Sequence, residues 1–438
     1  MEHSKTSFFN MDFILLGSTI LLMCIGVLFV FSSGVSSTGE VVSTEYLKQI
    51  LWVLISVGLM ASISFINYRT YYDLNVVIYI GFLVLLVCTL LFGRVVNGSK
   101  SWLGIGDLGI QPSEFTKIAT TIFLSKYFSD QKQNIKKIST LMKGSLIVGF
   151  PMILVLAQPD LGTAFVFAFI FLATAFMAGV QVKHLVFLIS VGLLTLVLAV
   201  IPFYYEKIVT ASSPLVTILT DSTIVMVICG ILAIMVSLGI WGFLKYKQTL
   251  FYWISYVSLI LLIAIAGSYV LRNELAEYQI KRFVIFLNPY IDKQGAGWNI
   301  IQSLNAVGSG GMVGKGYLQG TQSHLRYLPM QSTDFIFSII AEEWGFLGGV
   351  AIFSLYGLIL WRAMNLILKI KDQFASNLIS GLIGMLFFHM FFNVGMTMGM
   401  VPITGIPLYF LSYGGSHLVT GALSIGIISN IYHRRFIF

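Results

Sequence analysis

Residues 13–33 read FILLGSTILLMCIGVLFVFSS, a run without one charged side chain, and this run decides the class of fold. A helix of about 20 apolar residues crosses a hydrocarbon core about 30 Å thick, and the run has that length. No small-residue cleavage site follows it before Glu40, so we interpret it as a retained membrane span and not as a cleaved signal peptide.

The composition extends this interpretation to the whole chain. Of its 438 residues, 57% are hydrophobic and 10% are charged, too few charges to cover a soluble protein of this size. The pattern predicts an all-α, polytopic integral membrane helix bundle of about twelve transmembrane helices, with a long extracytoplasmic loop before the last three. After the first run, the candidate spans are 50–66, 74–93, 115–128, 141–157, 161–182, 184–205, 222–244, 248–271, 335–361, 374–398 and 413–432.

The basic residues set the predicted orientation. Lys and Arg are enriched in cytoplasmic loops, and such loops explain the net charge of +8 without a nucleic-acid partner. Counting spans from an inside N-terminus places the lysines of residues 126–143 and terminal Arg434 and Arg435 inside, so both termini are predicted to be cytoplasmic. The same count places segments 93–114, 158–160, 272–334 and 400–412 outside. Cys24, Cys88 and Cys229 fall in apolar runs without metal-ligand spacing and are predicted to be packing residues.

One polar, glycine-rich segment interrupts the apolar pattern. Within a single membrane domain covering 1–438, residues 272–333 form the predicted extracytoplasmic loop. Loops longer than about 12–15 residues are usually functional or disordered. We therefore predict that this loop holds the catalytic site.

Ordered motifs occur along most of the chain. They are Gln111-Pro112-Ser113-Glu114-Phe115-Thr116-Lys117, Gln158-Pro159-Asp160-Leu161-Gly162-Thr163-Ala164, Asn288-Pro289 with Asp292, Thr333-Asp334-Phe335, Ala341-Glu342-Glu343, Pro402-Ile403-Thr404-Gly405-Ile406-Pro407-Leu408 and Ser412-Tyr413-Gly414-Gly415-Ser416. Together these motifs resemble the SEDS family of peptidoglycan polymerases. Those between Lys315 and Ser323 are more similar to the RodA branch than to the division-associated FtsW branch.

The chain departs from the family pattern in three places. The family usually has a proline after the loop aspartate and a histidine before the Thr-Asp-Phe motif, where this chain has Lys293 and Ser332. The family is also usually drawn with about ten spans of membrane-crossing length. Residues 184–271 therefore hold an extra helix pair, which has no assigned role.

Asp292 is the predicted catalytic residue. The resemblance implies that it carries the essential aspartate of the family. Joining two sugars requires removal of a proton from the acceptor hydroxyl as that hydroxyl attacks the anomeric carbon, and a carboxylate can accept the proton. On the residues alone, the alternative is an aspartate that forms an Asx turn in a surface loop.

Glu114 and Lys117 are candidate substrate-binding residues. They lie three positions apart at the start of a predicted helix, so they share one face and can form an ion pair. Lys117 could face an anionic lipid head group while Glu114 orients it. A pair that only satisfies itself inside the bundle is the equal alternative.

Cations flank the glycine-rich loop, and together with its backbone N–H groups they could hold a pyrophosphate. The predicted substrate-binding residues here are Lys315, Arg326, Gln302 and Ser303, while Lys281 and Arg282 add further charge. For any one of these cations, a solvated loop charge is the alternative.

Four further acidic residues receive structural interpretations. Asp160 and Asp334 each precede an apolar run, which is typical of a helix N-cap. Glu342 and Glu343 lie at consecutive positions of an apolar span. They cannot share one narrow face, and at least one is predicted to pair within the bundle.

The resemblance implies an inverting peptidoglycan glycosyltransferase that polymerises lipid II during cell elongation. The implied partners are lipid II, a class B penicillin-binding protein and the surrounding membrane lipid. A divalent cation, Mg or Mn, could neutralise the departing pyrophosphate, but no dedicated metal site is evident. The alternatives are a lipid II flippase and a non-catalytic scaffold of wall synthesis. A flippase is expected to carry a central polar path through broken helices.

Overall fold

The computed structural model describes residues 11–96, 98–105, 108–205, 214–274 and 277–435. Two compact units divide the chain: the first comprises Met1–Val180 with Gln302–Phe438, and the second is Gln181–Ile301. The first ten elements are α1 Phe13–Ser33, α2 Glu45–Phe65, α3 Tyr68–Phe92, β1 Arg94–Val96, β2 Ser99–Ile105, β3 Leu108–Ile110, α4 Pro112–Asp130, α5 Ile138–Leu156, α6 Leu161–Ala178 and α7 Val182–Tyr204. The remaining helices are α8 Pro214–Thr220, α9 Ser222–Tyr246, α10 Thr249–Glu274, α11 Glu277–Leu287, α12 Ala296–Ser309, α13 Thr321–His324, α14 Ile336–Ile367, α15 Gln373–Thr397 and α16 Gly415–Arg434.

The predicted class, an all-α polytopic membrane bundle, is confirmed. Among the described residues, ten helices are long and apolar enough to cross a membrane. Every predicted span is helical, but α4 and α16 are too polar to be among the ten, so the predicted number of twelve is not established. One local departure is a three-stranded antiparallel sheet of order β1-β2-β3 in the segment predicted to be an outer loop.

Polar side chains fix the helix starts. Asp12 caps α1 by accepting from the Leu15 N–H at 3.1 Å, and Asp160 caps α6 by accepting from the Thr163 N–H at 3.0 Å. The predicted cap at Asp160 is therefore confirmed. The cap prediction for Asp334 is wrong, because α14 begins at Ile336 with Phe335 at the N-cap and no side-chain cap bond.

In the first unit, α15 is the central helix. It packs against α4, α6 and α14. In its most apolar stretch of 18 residues, 61% is buried inside the protein, whereas the corresponding share for the peripheral α2 is 22%. Lipid can solvate the outer face of α2, whereas α15 must satisfy its polar groups within the protein.

A non-helical segment, residues 406–412, lies buried between α15 and α16, although the sequence predicts an outer connection here. Side chains from neighbouring helices satisfy its backbone. Asn393 donates to the Ile406 carbonyl at 2.7 Å, and Gln49 donates to the Ser412 carbonyl at 3.1 Å. Irregular backbone is tolerated within a membrane bundle where protein groups replace water in this way.

Helix α14 is broken at Gly345, whose φ of 63° and ψ of −159° are not helical. The carbonyls of Glu342 and Glu343 accept instead from the N–H groups of Lys315 and Gly316, each at 3.0 Å. On the other side of the break, the Phe346 and Leu347 N–H groups donate to the carbonyls of residues 311 and 312, at 2.8 and 3.1 Å. The segment 311–316 thus replaces one turn of the helix, and we call this arrangement the Gly345 junction.

In the second unit, α10 packs against both α9 and α7. In the most apolar stretch of 18 residues of α7, and likewise of α9, only 17% is buried inside the protein. These helices therefore present most of their apolar side chains to the membrane, as expected where lipid is the solvent.

Candidate active site

Asp292 ends a short 3-10 helix, Pro289–Asp292, in the second unit. The Asn288 side chain accepts from the Tyr290 N–H at 3.1 Å, so the Asx turn at this point is formed by Asn288. A Cβ atom at Gly295 would collide with both carboxylate oxygens of Asp292, so glycine leaves the space that this carboxylate fills. The side chain of Asp292 is only partly buried. It keeps the access that a proton acceptor needs.

The first unit contains a buried polar cluster, here called the Lys117 cluster, formed by Glu114, Lys117, His389 and Tyr409. Lys117 Nζ donates to Glu114 Oε1 at 2.7 Å, which confirms the predicted ion pair. The Tyr409 hydroxyl donates to Glu114 Oε2 at 2.9 Å. Both carboxylate oxygens are therefore hydrogen-bonded, as a buried charge requires.

The hydrogen bonds determine the tautomer of His389. Its Nδ1 lies 3.0 Å from the Pro407 carbonyl, which can only accept, so Nδ1 carries a proton. Its Nε2 lies 3.0 Å from Lys117 Nζ and accepts from the ammonium group. The ring also stacks on Tyr409, with centroids 3.8 Å apart and an interplanar angle of 16°. The cluster is thus a net-neutral unit with one Lys, one Glu and a neutral His.

Lys117 is 0% exposed, so its ammonium group contacts no solvent in this structure. The structure places Glu114 and Lys117 as mutual partners at the start of α4, and their substrate-binding role stays a prediction. A substrate phosphate could meet Lys117 only if the cluster opened. With the cluster closed, the pair can act on a substrate only by holding α4, α15 and the segment 406–412 in place.

Asp160 lies next to this cluster. Gln111 Nε2 donates to Asp160 Oδ2 at 3.1 Å, and the Gln111 N–H donates to Ser416 Oγ at 3.0 Å. Desolvation raises the pKa of the Asp160 carboxyl, while the hydrogen bonds from Thr163 lower it. Gln111 therefore links the starts of α4, α6 and α16.

Lys315 belongs to the Gly345 junction. Its Nζ lies 2.7 Å from Glu342 Oε1 and 2.7 Å from Thr321 Oγ1, and the lysine side chain is 27% exposed. The same Glu342 oxygen accepts from the N–H groups of Thr321 and Gln322, at 2.8 and 3.0 Å. The prediction that at least one of the two consecutive glutamates pairs is confirmed, and most of the charge of Lys315 is already neutralised.

Glu343 is buried beside the same junction. It accepts from the Leu318 N–H at 3.1 Å and from the Ser32 hydroxyl, and His324 Nε2 lies 3.5 Å from its Oε1. The two glutamates therefore tie the segment 315–324 to α14, Glu342 through Lys315 and Glu343 through Leu318, and Glu343 also contacts α1. Residues so held can present a rigid backbone to a ligand.

The other predicted substrate-binding residues differ in access. Ser303 is fully buried and donates to the Thr397 carbonyl at 2.6 Å, so it joins α12 to α15. Gln302 is also buried. Arg326 is exposed and, among the described residues, its guanidinium forms no ion pair. Of the predicted cations in the first unit, Arg326 is the one most available to an anion.

Sequence reasoning missed Tyr409 and His389 as members of the Lys117 cluster. His389 could have been found, because an ionisable residue inside an apolar span is a functional candidate by default. Tyr409 gave no such signal, since its role depends on the segment 406–412 being buried between two helices.

The comparisons with known proteins agree with this fold and these motifs. The chain matches the family model FTSW_RODA_SPOVE, described as "Cell cycle protein", over residues 12–215 and 203–436. The chain belongs to the FtsW/RodA/SpoVE family.

Relatives in this family match nearly the full chain. Peptidoglycan glycosyltransferase RodA of Treponema pallidum is 43% identical over 97% of this chain and 98% of its own length. Stage V sporulation protein E of Bacillus subtilis is 33% identical over 98% of both chains. Peptidoglycan glycosyltransferase MrdB of Escherichia coli K12 is 30% identical over 97% of this chain and 95% of its own.

Solved structures of the family share the fold. One, from work on "Structural coordination of polymerization and crosslinking by a peptidoglycan synthase complex", superposes with a TM-score of 0.68 at 24% identity, covering 97% of this chain and 98% of the other. RodA of Thermus thermophilus superposes with a TM-score of 0.61 at 23% identity, covering 98% and 99%. At these identities the likeness establishes the architecture alone.

Proposed function

We propose that the chain is a peptidoglycan glycosyltransferase that polymerises lipid II into glycan strands on the outer face of the cytoplasmic membrane. The observation that carries the proposal is the 43% identity, over 97% of the chain, to the peptidoglycan glycosyltransferase RodA of Treponema pallidum. That relationship also supports a role in cell elongation and shape maintenance.

Asp292 is the proposed general base. Its carboxylate takes the proton from the 4-hydroxyl of the acceptor GlcNAc as that oxygen forms a bond to the anomeric carbon of the donor MurNAc. The bond from that carbon to the pyrophosphate oxygen breaks, and undecaprenyl pyrophosphate leaves with both electrons. Attack opposite the leaving group inverts the anomeric centre. The partly buried position of Asp292 on a hydrogen-bonded turn supports this role.

The cationic residues take different proposed roles. Exposed Arg326 would bind the pyrophosphate, since a guanidinium can hold two phosphate oxygens at once. Lys315 and Lys117 are mostly neutralised by Glu342 and Glu114, so they act mainly by positioning. Gln302 and Ser303, which are both buried on α12, would hold that helix of the loop in place.

A divalent cation would be held by the substrate. Among the described residues, no three His, Cys, Asp or Glu side chains come together as a metal site. Mg²⁺ is usually bound through one or two carboxylates together with the phosphates of a substrate. We therefore propose that any metal requirement arises through the pyrophosphate of lipid II, and no step of the mechanism depends on it.

The proposed partner is a class B penicillin-binding protein, which would crosslink the strands that this chain polymerises. One structural neighbour comes from a peptidoglycan synthase complex in which polymerization and crosslinking are coordinated, and this likeness supports the proposal. Both termini are proposed to be cytoplasmic, because that orientation places the lysine-rich loop 131–137 inside.

Polymerisation of labelled lipid II by the purified protein, with and without its partner, tests the proposal. Wild-type protein is expected to produce long glycan strands, and Asp292→Asn is expected to lose about 10²–10⁴-fold in rate because it cannot accept the proton. Asp292→Asn should keep the melting temperature of the wild type, since the side chain is only partly buried. Near-normal polymer from Asp292→Asn would overturn the assignment of the base.

A lipid II flippase is the second candidate, because α14 is a broken helix of the kind that transporters use. The break, however, is closed by four backbone hydrogen bonds from the segment 311–316. Proteoliposomes that hold lipid II in both leaflets distinguish the two functions. Transfer of lipid II between leaflets without polymer formation would favour the flippase.

A further inference from the structure

The second unit carries three ammonium groups at one end of its helices without acidic compensation. Lys183 lies in the first turn of α7, while Lys245 and Lys247 lie at the end of α9, next to the start of α10. Among the described residues, none of the three forms an ion pair. No Asp or Glu occurs anywhere in residues 161–205 or 222–273. This end of the unit therefore carries a local charge that its own helices do not neutralise.

Aromatic rings hold two of these cations. Lys245 Nζ lies 4.8 Å from the ring centroid of Trp241, and Lys183 Nζ lies 5.7 Å from that of Tyr252. The Tyr252 ring also lies 6.0 Å from Phe243 on α9, so the rings bridge the three helices. We define the cation–aromatic patch as Lys183, Trp241, Lys245, Tyr246, Lys247, Tyr252 and Trp253.

The patch is fixed to the helices that carry it. The Tyr256 hydroxyl donates to the Lys183 carbonyl at 2.7 Å, which ties α10 to the first turn of α7. Cations held over rings lose less freedom on binding a ligand than free lysine side chains would. The patch is therefore more ordered than a solvated lysine loop.

Apolar side chains surround the cations. Leu244 is 71% exposed and Leu250 is 63% exposed, and both indole rings of the patch are more than half exposed. In a membrane protein such side chains contact acyl chains, while Trp and Tyr lie at the level of the head groups. A ligand of this surface must therefore combine a negative head with a hydrocarbon body.

We infer that the cation–aromatic patch binds the head-group phosphate of an anionic membrane phospholipid. Charge complementarity selects the phosphate, and the exposed leucines and indoles select a lipid over a soluble anion. On the proposed orientation the patch faces the cytoplasmic leaflet. The binding is separate from glycosyl transfer, and it gives this end of α7, α9 and α10 a function.

Quenching of Trp241 and Trp253 fluorescence tests the inference in proteoliposomes. The full-length protein is reconstituted in phosphatidylcholine containing a minor fraction of brominated phosphatidylglycerol, or of brominated phosphatidylcholine with the same acyl chains. A Trp241→Phe/Trp253→Phe variant supplies the background from the other five of the seven tryptophans. Phosphatidylglycerol is expected to quench the patch tryptophans more strongly than phosphatidylcholine does.

Removing the charge is expected to remove the preference. The variant Lys183→Gln/Lys245→Gln/Lys247→Gln should lose on the order of a hundredfold in relative affinity for phosphatidylglycerol. The matching Lys→Arg variant should keep the preference. Tyr252→Leu, which keeps all three lysines, should weaken it by removing the ring under Lys183.

The matched control removes the same charge from another loop. Lys132→Gln/Lys136→Gln/Lys137→Gln changes three lysines between α4 and α5 and should leave the quenching preference intact. If the control and the patch variant lose the quenching preference equally, the lipid is attracted by diffuse positive charge, and the proposed binding site is wrong. Equal quenching of wild-type protein by the two lipids would also overturn it, as would displacement of phosphatidylglycerol by millimolar inorganic phosphate.

Discussion

At the scale of single residues, Asp292 and Lys117 show two ways to keep a charge in a membrane protein. Asp292 lies on a loop turn and retains solvent access. Lys117 is completely buried, and its side-chain nitrogen is hydrogen-bonded to Glu114 and to the lone pair of His389. An ammonium group without such partners would deprotonate or destabilise the fold. The first arrangement suits a reactive group and the second suits a structural one.

The Lys117 cluster permits a test of that distinction. Lys117→Met leaves the buried Glu114 without its cation and should destabilise the protein by about 3–5 kcal/mol. Adding Glu114→Gln removes the uncompensated charge and should recover most of the lost stability. If the pair only positions helices, the double variant should also recover polymerisation. If the ammonium group acts on the substrate, the double variant will melt normally and stay inactive. Melting and polymerisation measured on the same preparations separate the two roles.

Lys315 and Arg326 are predicted to respond differently to loss of charge. Arg326→Gln removes an exposed guanidinium without an ion pair among the described residues, so the melting temperature should not change. If Arg326 binds pyrophosphate, kcat/KM should fall about ten- to hundredfold, mostly through KM.

Lys315→Met is the contrasting variant, because it takes the cation from buried Glu342. Its free energy of unfolding should fall by about 1–3 kcal/mol, since backbone N–H groups still satisfy part of the carboxylate. A normal melting temperature with a raised KM for Lys315→Met would instead make Lys315 a direct ligand of the substrate.

At the scale of elements, the Gly345 junction depends on a backbone conformation that only glycine adopts readily. A Cβ at Gly345 would also collide with the backbone of Gly314 and Met312. Gly345→Ala is therefore expected to lower the free energy of unfolding by more than about 3 kcal/mol.

Gly357→Ala is the matched control, because it lies in the same helix and its added Cβ would meet nothing within 4 Å. It should be neutral or stabilising by up to about 1 kcal/mol. Thermal unfolding in detergent measures both variants. Similar melting temperatures for the two would contradict the interpretation of the junction as a rigid element.

Hydropathy predicts the positions of the helices but not the break at Gly345 in α14. The first span is predicted at 13–33 and the helix has those bounds, because a long apolar run has no other stable state in lipid. The span predicted at 335–361 is broken because its carbonyls bond to residues about 27 positions earlier, a contact that no local pattern encodes. The small sheet of residues 94–110 escapes prediction for a related reason. Its strands are short, and they are stabilised partly by the bond from the Lys100 N–H to the Gln158 carbonyl.

For the candidate site too, the sequence predicts contacts between neighbouring residues but not contacts between distant ones. The Glu114–Lys117 pair is predictable because its members lie one helical turn apart. Tyr409, the other partner of Glu114, lies 295 positions away, and only the buried path of residues 406–412 brings it there. The exposure of Arg326 and the burial of Ser303 likewise depend on tertiary packing, since both lie in the same polar segment of the sequence.

At the scale of the whole molecule, the membrane explains where polar groups are allowed. Among the described residues, the cations Lys183, Lys245, Lys247 and Arg326 form no ion pair and lie at helix ends or in loops. In contrast, Glu114, Lys117, Glu342 and Glu343 are buried with hydrogen-bond partners. Lipid cannot hydrogen-bond the interior groups, so the protein must satisfy each of them itself. On the proposed function, the orientation of the chain also bears on its chemistry, because lipid-linked donors would be polymerised only where the loop of residues 272–333 can reach them.

The orientation can be tested by labelling single cysteines on intact cells. Cys24, Cys88 and Cys229 are first replaced by alanine, and one cysteine is then introduced at Gln294, at Gln133 or after Phe438. Gln294 and Gln133 are both exposed, so burial does not limit their reaction. An impermeant thiol reagent should label position 294 only, because the enrichment of lysines in cytoplasmic loops predicts that the loop at Gln133 lies inside. After the cells are lysed, the other two positions should label as well. Labelling of position 133 but not of 294 on intact cells would invert the topology, and the loop that carries Asp292 would then face away from the growing wall.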